Sequence, residues 1–361
     1  MRVLGWWSLG IVLARASGLS RVSHLLAELT KQKESSVRQR LREWYWEKEA
    51  KAGKVRQELD VGVCFAGLLG WILSRWPAEE RRLALAMDAS NLGMTFVVLS
   101  LSVVYRGCAI PVAWKVLRAA EKGAWKAEWL ALLTSFQHVV PKDWCVLVLA
   151  DRGLYAQWLF HAIQQLGWHP FLRINLGGKF CRQGSSQFLP LSHFVSPQST
   201  SWAGVGICFK KNSIQATLLV CSDLAYTDPW LIVTDLAPDY AQISWYGMRS
   251  WIENSFKLTK RGGWQWQNTR MTDPARATRF WLALSVATLW VVSVGGEADA
   301  NVPISSLQEL PMQHIARRQF KGRKSHRLHS CFQLGAALIL TSILNLDPLP
   351  EGRFIPEPWP S

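Results

Sequence analysis

The chain has 361 residues, 49% of them hydrophobic and 19% charged, which excludes a disordered protein and provides material for a large core. Lysine and arginine outnumber aspartate and glutamate by 41 to 26, a net charge of +15 that predicts a polyanionic partner, with nucleic acid ahead of a membrane surface. The seven cysteines are scattered without a Cys-x-x-Cys pair. This spacing argues against a disulfide framework and a structural zinc site, and it favours the cytoplasm.

The first 80 residues, 1–80, are predicted to form a helical DNA-binding domain. Helices are expected after Ser20 and after Ser35-Ser36, where the serines can act as caps, and from Val61 to Arg75. The second of these helices is basic in its first half and acidic in its second half. A helix-turn-helix and an ordinary helical bundle therefore both remain open, and the bundle is slightly favoured because DNA phosphates repel the acidic half.

Two apolar stretches raise the question of a membrane or a signal peptide. Met1–Ala16 resembles a short signal peptide, although Arg15 falls inside its small-residue region. No segment reaches the roughly 20 consecutive apolar residues of a membrane span. The longest, Trp281–Gly296, is predicted to be a buried core helix, so no membrane partner is expected.

A unit rich in β-strands begins at Arg81. The first predicted strand alternates apolar and small residues and ends at Asp88, and a continuous apolar strand ends just before Asp151. The full predicted order is a strand to Asp88, strands Thr95–Tyr105 and Cys108–Leu117, a helix Gly123–Val139, a strand Trp144–Ala150, a helix Tyr155–Leu166 and a strand Trp168–Ile174. This is the order of the ribonuclease-H-like α/β fold, and open sheets of this kind bind ligands at strand carboxyl ends.

The core is predicted in two parts, 81–175 and 241–296, separated by a β-rich insertion, 176–240. Within the insertion, strands are expected over Ala203–Phe209, Ser213–Cys221 and Trp230–Thr234. In the second part, a long apolar helix over Arg276–Val294 is expected to cover the sheet. The tail, 297–361, contains a basic run over 314–330 predicted to contact DNA, a helix over Gln333–Leu346 and an irregular Pro-rich end.

One predicted helix, Tyr246–Lys260, presents an unusual set of charges around Glu253. Positions four or seven residues from Glu253 share its face of a helix, and they hold Tyr246, Arg249, Lys257 and Lys260. A carboxylate among cations suits a site that holds a divalent metal together with phosphate oxygens. The alternative is a solvated face of ion pairs, each worth a few tenths of a kcal/mol. The opposite face holds the apolar stripe expected of a packed helix: Met248, Ile252 and Phe256.

The motif Tyr-x2-Arg-x3-Glu-x6-Lys over 246–260 resembles the hallmark of DDE transposases of the insertion-sequence-four type. Asp88 in Leu-Ala-Met-Asp and Asp151 in Leu-Ala-Asp-Arg-Gly are similar to the other two motifs of that family. The resemblance covers about residues 81–296. The region before Arg81 is short for the family.

The resemblance implies that Asp88, Asp151 and Glu253 hold two Mg²⁺ ions, with Mn²⁺ able to substitute. Hard cations prefer carboxylate oxygens, and two of them can serve an in-line phosphoryl displacement. Water first cuts the end of the element, and the freed 3′-hydroxyl then attacks target DNA. The implied DNA contacts are Tyr246, Arg249, Lys257 and Lys260, together with Trp230 or Trp202 as a stacking platform for a flipped base.

The resemblance also implies double-stranded DNA as partner, with terminal inverted repeats and target DNA, a dimer on DNA and a place in the cytoplasm with the nucleoid. Two other functions remain open: a degenerate copy that binds DNA without cutting it, and a related nuclease acting on branched DNA. A secreted or membrane-surface protein is a remote further possibility. The acids have structural alternatives too. Asp88 could cap a strand end, Asp151 could pair with Arg152, and Asp235 or Asp239 could replace Glu253.

Overall fold

The computed structural model describes residues 2–54, 56–121, 123, 125–195, 201–222, 228–301 and 329–360. The predicted DNA-contacting run over 314–330 lies outside these residues, except for its last two positions. Within the described part there are nine α-helices: α1 Arg2–Ala14, α2 Leu19–Thr30, α3 Glu34–Trp44, α4 Gly62–Ser74, α5 Lys126–Thr134, α6 Gln157–Gln165, α7 Ser250–Lys257, α8 Pro274–Ala300 and α9 Cys331–Leu344.

A single mixed sheet organises the molecule. Its strands are β1 Arg82–Leu92, β2 Phe96–Tyr105, β3 Cys108–Arg118, β4 Cys145–Ala150, β5 His169–Arg173, β6 Lys179–Arg182, β7 Leu189–Pro190, β8 Ser201–Cys208, β9 Ile214–Cys221 and β10 Trp230–Thr234. They lie in the order β3-β2-β1-β4-β5-β10-β9-β8-β6-β7. The first five follow the element order predicted for the ribonuclease-H-like core, with β1–β3 antiparallel and β4 and β5 parallel to β1.

The central strands are buried on both faces, which explains their unbroken apolar sequences. All ten residues of β2 are buried, and so are the last five of β4. Strands covered by helices on both faces cannot keep the polar alternation of a solvated sheet. The β-branched and leucine-rich runs that predicted these strands therefore also predicted their burial.

Helix α8 forms the backbone of one covering layer. Asp273 caps it by accepting a hydrogen bond from the backbone N–H of Arg276 at 2.7 Å, with Pro274 at its first turn. It packs on β3, where the Trp114 indole donates to the Thr278 carbonyl at 2.8 Å. By length and composition α8 could cross a membrane, but 83% of its most apolar window is buried inside the protein. This is the core helix that the sequence predicted.

The N-terminal helices belong to the same core. Trp7 of α1 is fully buried, its indole N–H donates to the Leu41 carbonyl at 2.9 Å, and its ring meets Phe280 of α8 edge to face. Helices α2 and α3 pack against each other and against α1. The helix-rich character predicted for 1–80 is present. The caps were wrong: Gly18 and Lys33, rather than the predicted serines, precede α2 and α3.

The segment predicted as a β insertion continues the core sheet. β10 pairs antiparallel with β5 on one side and with β9 on the other, so the strands from β6 to β10 extend the same hydrogen-bonded sheet. Gly206 allows β8 to lie against β6, because a Cβ at that position would sit 2.1 Å from the Cys181 carbonyl oxygen.

The C-terminal chain after α9 is irregular, as predicted, but it is firmly held. Phe354 is 2% exposed and packs edge to face on Tyr105 at 5.1 Å between ring centroids, and against Trp76 at 5.6 Å. The Ile355 N–H donates to the Tyr105 hydroxyl at 2.9 Å. Trp359 meets Trp245 at 5.0 Å. We call residues 348–360 the C-terminal strap.

Helices α8 and α9 cross in backbone contact. A Cβ on Gly295 would sit 1.8 Å from the Cys331 carbonyl oxygen, and one on Gly335 would sit 1.9 Å from that of Val291. Only glycine fits at both positions, since no side chain has room between the two backbones. A capping box fixes the start of α9, in which Ser330 and Gln333 exchange hydrogen bonds.

Several predicted boundaries differ from the structure for physical reasons. β1 does not end at Asp88 but runs four residues further, because Ala89–Leu92 form a hairpin with the start of β2. The helix expected over Gly123–Val139 is only Lys126–Thr134, followed by turns. The apolar pattern identified both elements but could not show where tertiary pairing extends or shortens them.

Candidate active site

Two of the predicted carboxylates lie side by side where the parallel pair of strands diverges. Met87 of β1 and Ala150 of β4 form the last parallel pair, so Asp88 and Asp151 are the next residue on each strand. The backbone N–H groups of Ala89 and Gly153 hold them, donating to Asp88 Oδ1 at 2.8 Å and to Asp151 Oδ1 at 2.7 Å. This is the sheet edge at which open α/β sheets bind ligands.

The third carboxylate arrives on α7, which packs across β1, β2 and β3. Ile252 and Phe256 of this helix are buried, as the apolar stripe predicted. Ser255 Oγ accepts a hydrogen bond from the backbone N–H of Ala109 at 2.7 Å. This packing directs Glu253 toward the two aspartates. The side chain of Glu253 is 48% exposed.

A single guanidinium joins all three acids. Arg249 Nη2 lies 3.0 Å from Asp88 Oδ2 and 3.4 Å from Asp151 Oδ2, and Arg249 Nη1 donates to Glu253 Oε1. Arg249 is only 12% exposed. The predicted pair of Arg249 with Glu253 therefore exists, but it is one branch of a four-residue cluster and not an isolated surface ion pair. We call these four residues the acid cluster.

Burial controls the charge state of Asp88. Removal from water raises its pKa to about 6, even though Arg249 and the Ala89 N–H stabilise the carboxylate, and the nearby acids add to the rise. The pKa of Arg249 is raised: burial opposes its charge, but the carboxylates, Asp88 first, outweigh that effect. The cluster is thus a site where negative charge is crowded and only partly compensated.

The structural alternatives for the acids receive little support. Arg152 pairs with Asp228 at 3.1 Å, so it is not the partner of Asp151. Asp235 pairs with His169 at 3.0 Å, at the start of β5 and therefore at the other end of the sheet. Glu253 is the acid that shares a cation with Asp88 and Asp151.

The helix expected over Tyr246–Lys260 is not one continuous α-helix. A 3₁₀-helix over Ile243–Arg249 leads into α7, and a π-helical turn over Leu258–Gly262 follows it, with Lys260 outside helical geometry. The assumption of one regular face was therefore wrong beyond a single turn from Glu253. Tight and wide turns at both ends adjust where the flanking residues point.

The remaining predicted DNA contacts lie in different surroundings. Lys260 reaches β1, where its ammonium donates to Ser90 Oγ at 2.8 Å, and burial lowers its pKa against the opposing effect of Asp88. Lys257 is exposed on α7. Trp230 and Tyr246 meet edge to face at 5.1 Å. Tyr246 is 5% exposed, and burial raises its pKa to about 12.

Two residues at the site were missed from the sequence. Arg173, at the end of β5, hydrogen-bonds with Tyr246 and donates to the Pro229 carbonyl at 3.3 Å, which ties the Trp230 region to the core. Its signal was a basic residue at the carboxyl end of a predicted strand. Ser90 was missed because β1 was expected to stop at Asp88, although a period of two places both residues on one face.

The residues fit divalent cations in chemistry. Three carboxylates are the hard oxygen donors that Mg²⁺ and Mn²⁺ prefer, and here they already surround one positive group. Across the described part of the chain, no three His, Cys, Asp or Glu side chains are close enough together to hold one metal ion in this arrangement. Arg249 lies among the three carboxylates in this arrangement.

Comparison with known proteins agrees with this chemistry. Residues 99–290 match the sequence model of the family described as transposase DDE domain, which is 192 of 361 residues and more than half of the chain. The chain belongs to the DDE transposase family. The match includes Asp151, Arg249 and Glu253, while Asp88 lies before its first residue.

Other comparisons are weaker. The DDE transposase described here is similar to a chain in the cryo-EM structure of the piggyBac transposase synaptic complex with hairpin DNA, at 7% identity and a TM-score of 0.38. The similarity covers 74% of this chain and 54% of that one, so this chain spans about half the length of the protein it matches. No curated protein matches the sequence.

Proposed function

We propose that this protein is a DNA transposase of the insertion-sequence-four type, which cuts and joins DNA with Asp88, Asp151 and Glu253. The observation that carries the proposal is the convergence of these three acids on Arg249, at the point where the parallel pairing of β1 with β4 ends, in a chain of the DDE family. The net charge of +15 suits a DNA partner.

The three carboxylates hold two divalent ions, Mg²⁺ in the cell, with Mn²⁺ able to replace it. When bound, such ions activate an attacking oxygen and stabilise the leaving oxygen of an in-line phosphoryl displacement. The backbone N–H groups of Ala89 and Gly153 orient the aspartates by occupying one oxygen of each, which leaves the other for ligation. Glu253, on a separate element, completes the set.

Basic and aromatic residues beside the acids bind the DNA. Arg249 grips a phosphate as a two-pronged donor, and Lys260 and Lys257 act as point charges. The indole of Trp230 is the stacking surface for a base that leaves the duplex. The buried Tyr246 ring packs edge to face against this indole. The same site first frees a 3′-hydroxyl at each end of an element and then joins it to target DNA.

Cut-and-paste transposition requires further partners. The substrate is double-stranded DNA carrying the terminal inverted repeats, and two ends must meet, so a dimer on DNA is part of the proposal. The region 1–80 and the basic tail 297–361 are proposed to supply additional DNA contacts, in the cytoplasm and on the nucleoid. The scattered cysteines and the net positive charge are compatible with that setting.

The decisive experiment is cleavage of labelled DNA carrying the element's own ends, in Mg²⁺ and in Mn²⁺. Wild type is compared with Glu253→Ala and with Glu79→Ala, a control that removes an exposed glutamate just before β1, at the other end of the sheet. Wild type and the control are expected to cut and leave a 3′-hydroxyl, and Glu253→Ala is expected to lose cutting while still binding DNA.

Two results would contradict the proposal. If all three proteins bind DNA and none cuts in either metal, the protein is a degenerate DNA-binding derivative. If wild type cuts branched DNA but never joins a 3′-hydroxyl to a target, it is a nuclease. Equal cutting by Glu253→Ala and wild type would remove Glu253 from the triad.

A further inference from the structure

Arg249 lies at the centre of the acid cluster. It has a carboxylate of Asp88, of Asp151 and of Glu253 around one guanidinium, and it is 12% exposed. The aspartates belong to neighbouring strands and Glu253 to α7, so this one side chain fastens three separate elements together. Charge-assisted bonds of this kind are among the stronger polar contacts in proteins.

The contacts of Arg249 use the same oxygens that a metal needs. Each aspartate has one oxygen on a backbone N–H, at 2.8 Å for Asp88 and 2.7 Å for Asp151, and its other oxygen faces Arg249. A carboxylate oxygen has more than one lone pair, but a hard divalent cation at about 2.0–2.6 Å would lie beside a second positive charge if Arg249 stayed in place. Metal and Arg249 in its present position therefore compete for these oxygens.

We propose that Arg249 is a placeholder cation, which assembles the three carboxylates in the metal-free protein and leaves them when metal binds. The proposal rests on the proposed function, since it assigns the metal to these acids. Without a central cation the carboxylates would repel one another.

The displaced guanidinium needs a new anion, and a DNA phosphate provides one. Arg249 begins the turn into α7 and is one residue before Ser250, so its long side chain can swing outward without moving the helix. DNA then favours metal binding by drawing Arg249 away, and metal favours DNA binding by releasing it. Such coupling is reciprocal by thermodynamic necessity. The device keeps the acids empty of metal until a phosphate is present.

The test measures Mn²⁺ binding directly, by electron paramagnetic resonance of free Mn²⁺, on the full chain without DNA. Arg249→Gln is compared with wild type, and Arg261→Gln serves as the matched control, because it is the same chemical change at an exposed position of the same segment. We expect Arg249→Gln to bind Mn²⁺ about tenfold more tightly, from the loss of a competing charge-assisted bond. The control is expected to match wild type.

Thermal melting provides a second readout and a check on folding. Without metal, Arg249→Gln is expected to melt below wild type, because three crowded carboxylates lose the guanidinium that they share, and Mn²⁺ is expected to restore most of the difference. Arg249→Lys, which keeps the charge but not the fork, is expected to fall between the two in Mn²⁺ affinity. This variant keeps the test decisive if Arg249→Gln does not fold.

The coupling is tested by repeating the titration with a duplex of arbitrary sequence. DNA is expected to tighten Mn²⁺ binding by wild type and to have much less effect on Arg249→Gln. Unchanged or weaker Mn²⁺ binding by Arg249→Gln, relative to wild type, would overturn the placeholder role.

Asp88→Asn separates this failure from failure of the proposed function. If Asp88→Asn abolishes Mn²⁺ binding while Arg249→Gln leaves it unchanged, the acids hold the metal and only the placeholder role is lost. If Asp88→Asn combined with Arg249→Gln binds as tightly as Arg249→Gln alone, the metal lies elsewhere. The carboxylate assignment in the proposed function then fails as well.

Discussion

The two ends of the central sheet use the same kinds of residue in opposite ways. At the end where β1 and β4 begin, which we call the closed end, charges are paired one to one. Arg81 pairs with Asp143 at 2.9 Å and Arg106 with Asp299 at 2.5 Å. At the other end, three carboxylates share Arg249. Each of these two closed-end pairs matches one cation with one carboxylate, while the acid cluster has three carboxylates for one guanidinium.

Apolar packing differs between the two ends as well. The C-terminal strap seals the closed end with Phe354, whose ring lies among Trp76 and Tyr105. Among the residues that the structure describes, no comparable aromatic packing covers Glu253, whose side chain is 48% exposed. The two ends of the sheet therefore have different roles. Packed contacts at the closed end stabilise the fold, and the acid cluster at the other end remains accessible to a ligand.

Asp88→Asn tests the role of the acid cluster, and it is expected to change activity more than any other variant proposed below. It keeps the shape of the side chain but removes a ligand charge, so strand cleavage is expected to fall by about a thousandfold or more. The melting temperature is expected to change little, because burial already disfavours the Asp88 charge. Gel-based cleavage and DNA-binding assays measure the outcome.

Asp143→Asn is the matched control for this prediction, since it makes the same change at the closed end, where Asp143 is more than half exposed. It is expected to keep both activities. A large loss of stability or of DNA binding in Asp88→Asn would show that Asp88 is structural, as the strand-end alternative holds.

Phe354→Ala tests whether packing at the closed end stabilises the fold. Truncating a ring that is 2% exposed is expected to cost about 3 kcal/mol or more, from lost burial and the cavity left behind. Denaturant or thermal unfolding measures this loss. Phe354→Leu, which retains most of the volume, is expected to cost clearly less, and both variants should cut DNA normally at a temperature where they remain folded. Loss of cleavage by folded Phe354→Leu would show that the two ends are coupled.

Glu47→Gln tests how much a one-to-one ion pair contributes to stability, and its expected effect is small. Glu47 is hydrogen-bonded to Arg276, and this partner lowers the pKa of Glu47 to about 2, whereas burial raises the pKa of Asp88 to about 6 although Arg249 opposes the rise. A lowered pKa gives stability that is fully present above the ordinary value of 4.5 and is lost as the pH falls through about 2. The pair is about one-third exposed, so the effect is expected to stay below about 1 kcal/mol.

Unfolding of wild type and Glu47→Gln across that pH range measures the effect. Wild type is expected to be slightly more stable at pH 7, and the gap is expected to close toward pH 2. A gap that persists unchanged at pH 2 would mean that the ion pair is not its source.

Much of the fold was predictable because it depends on local pattern. The apolar runs of β2 and β4, the stripe of α7 and the long helix α8 have periodicities that admit few other structures. The strand order followed from the sequence of elements. Asp88 was found because it ends one predicted strand, and Asp151 because it follows an apolar strand. The family match includes Asp151.

What could not be predicted depends on contacts between distant residues. The extension of β1 past Asp88 requires its pairing with β2, and the turns around α7 arise from packing against the sheet. The convergence of three acids on Arg249 is invisible in a sequence where Asp88 and Arg249 lie 161 positions apart. Helical spacing indicated only the pairing of Arg249 with Glu253. Tertiary packing decides such geometry, and no local rule contains it.

The glycine contact between α8 and α9 has a consequence for how these helices can be changed. Because Gly295 and Gly335 bring the two backbones together, main-chain atoms and not side-chain shapes set the place where the helices cross. A single methyl group at either glycine would have to push the two helices apart, whereas the side chains elsewhere along them can change without moving the crossing.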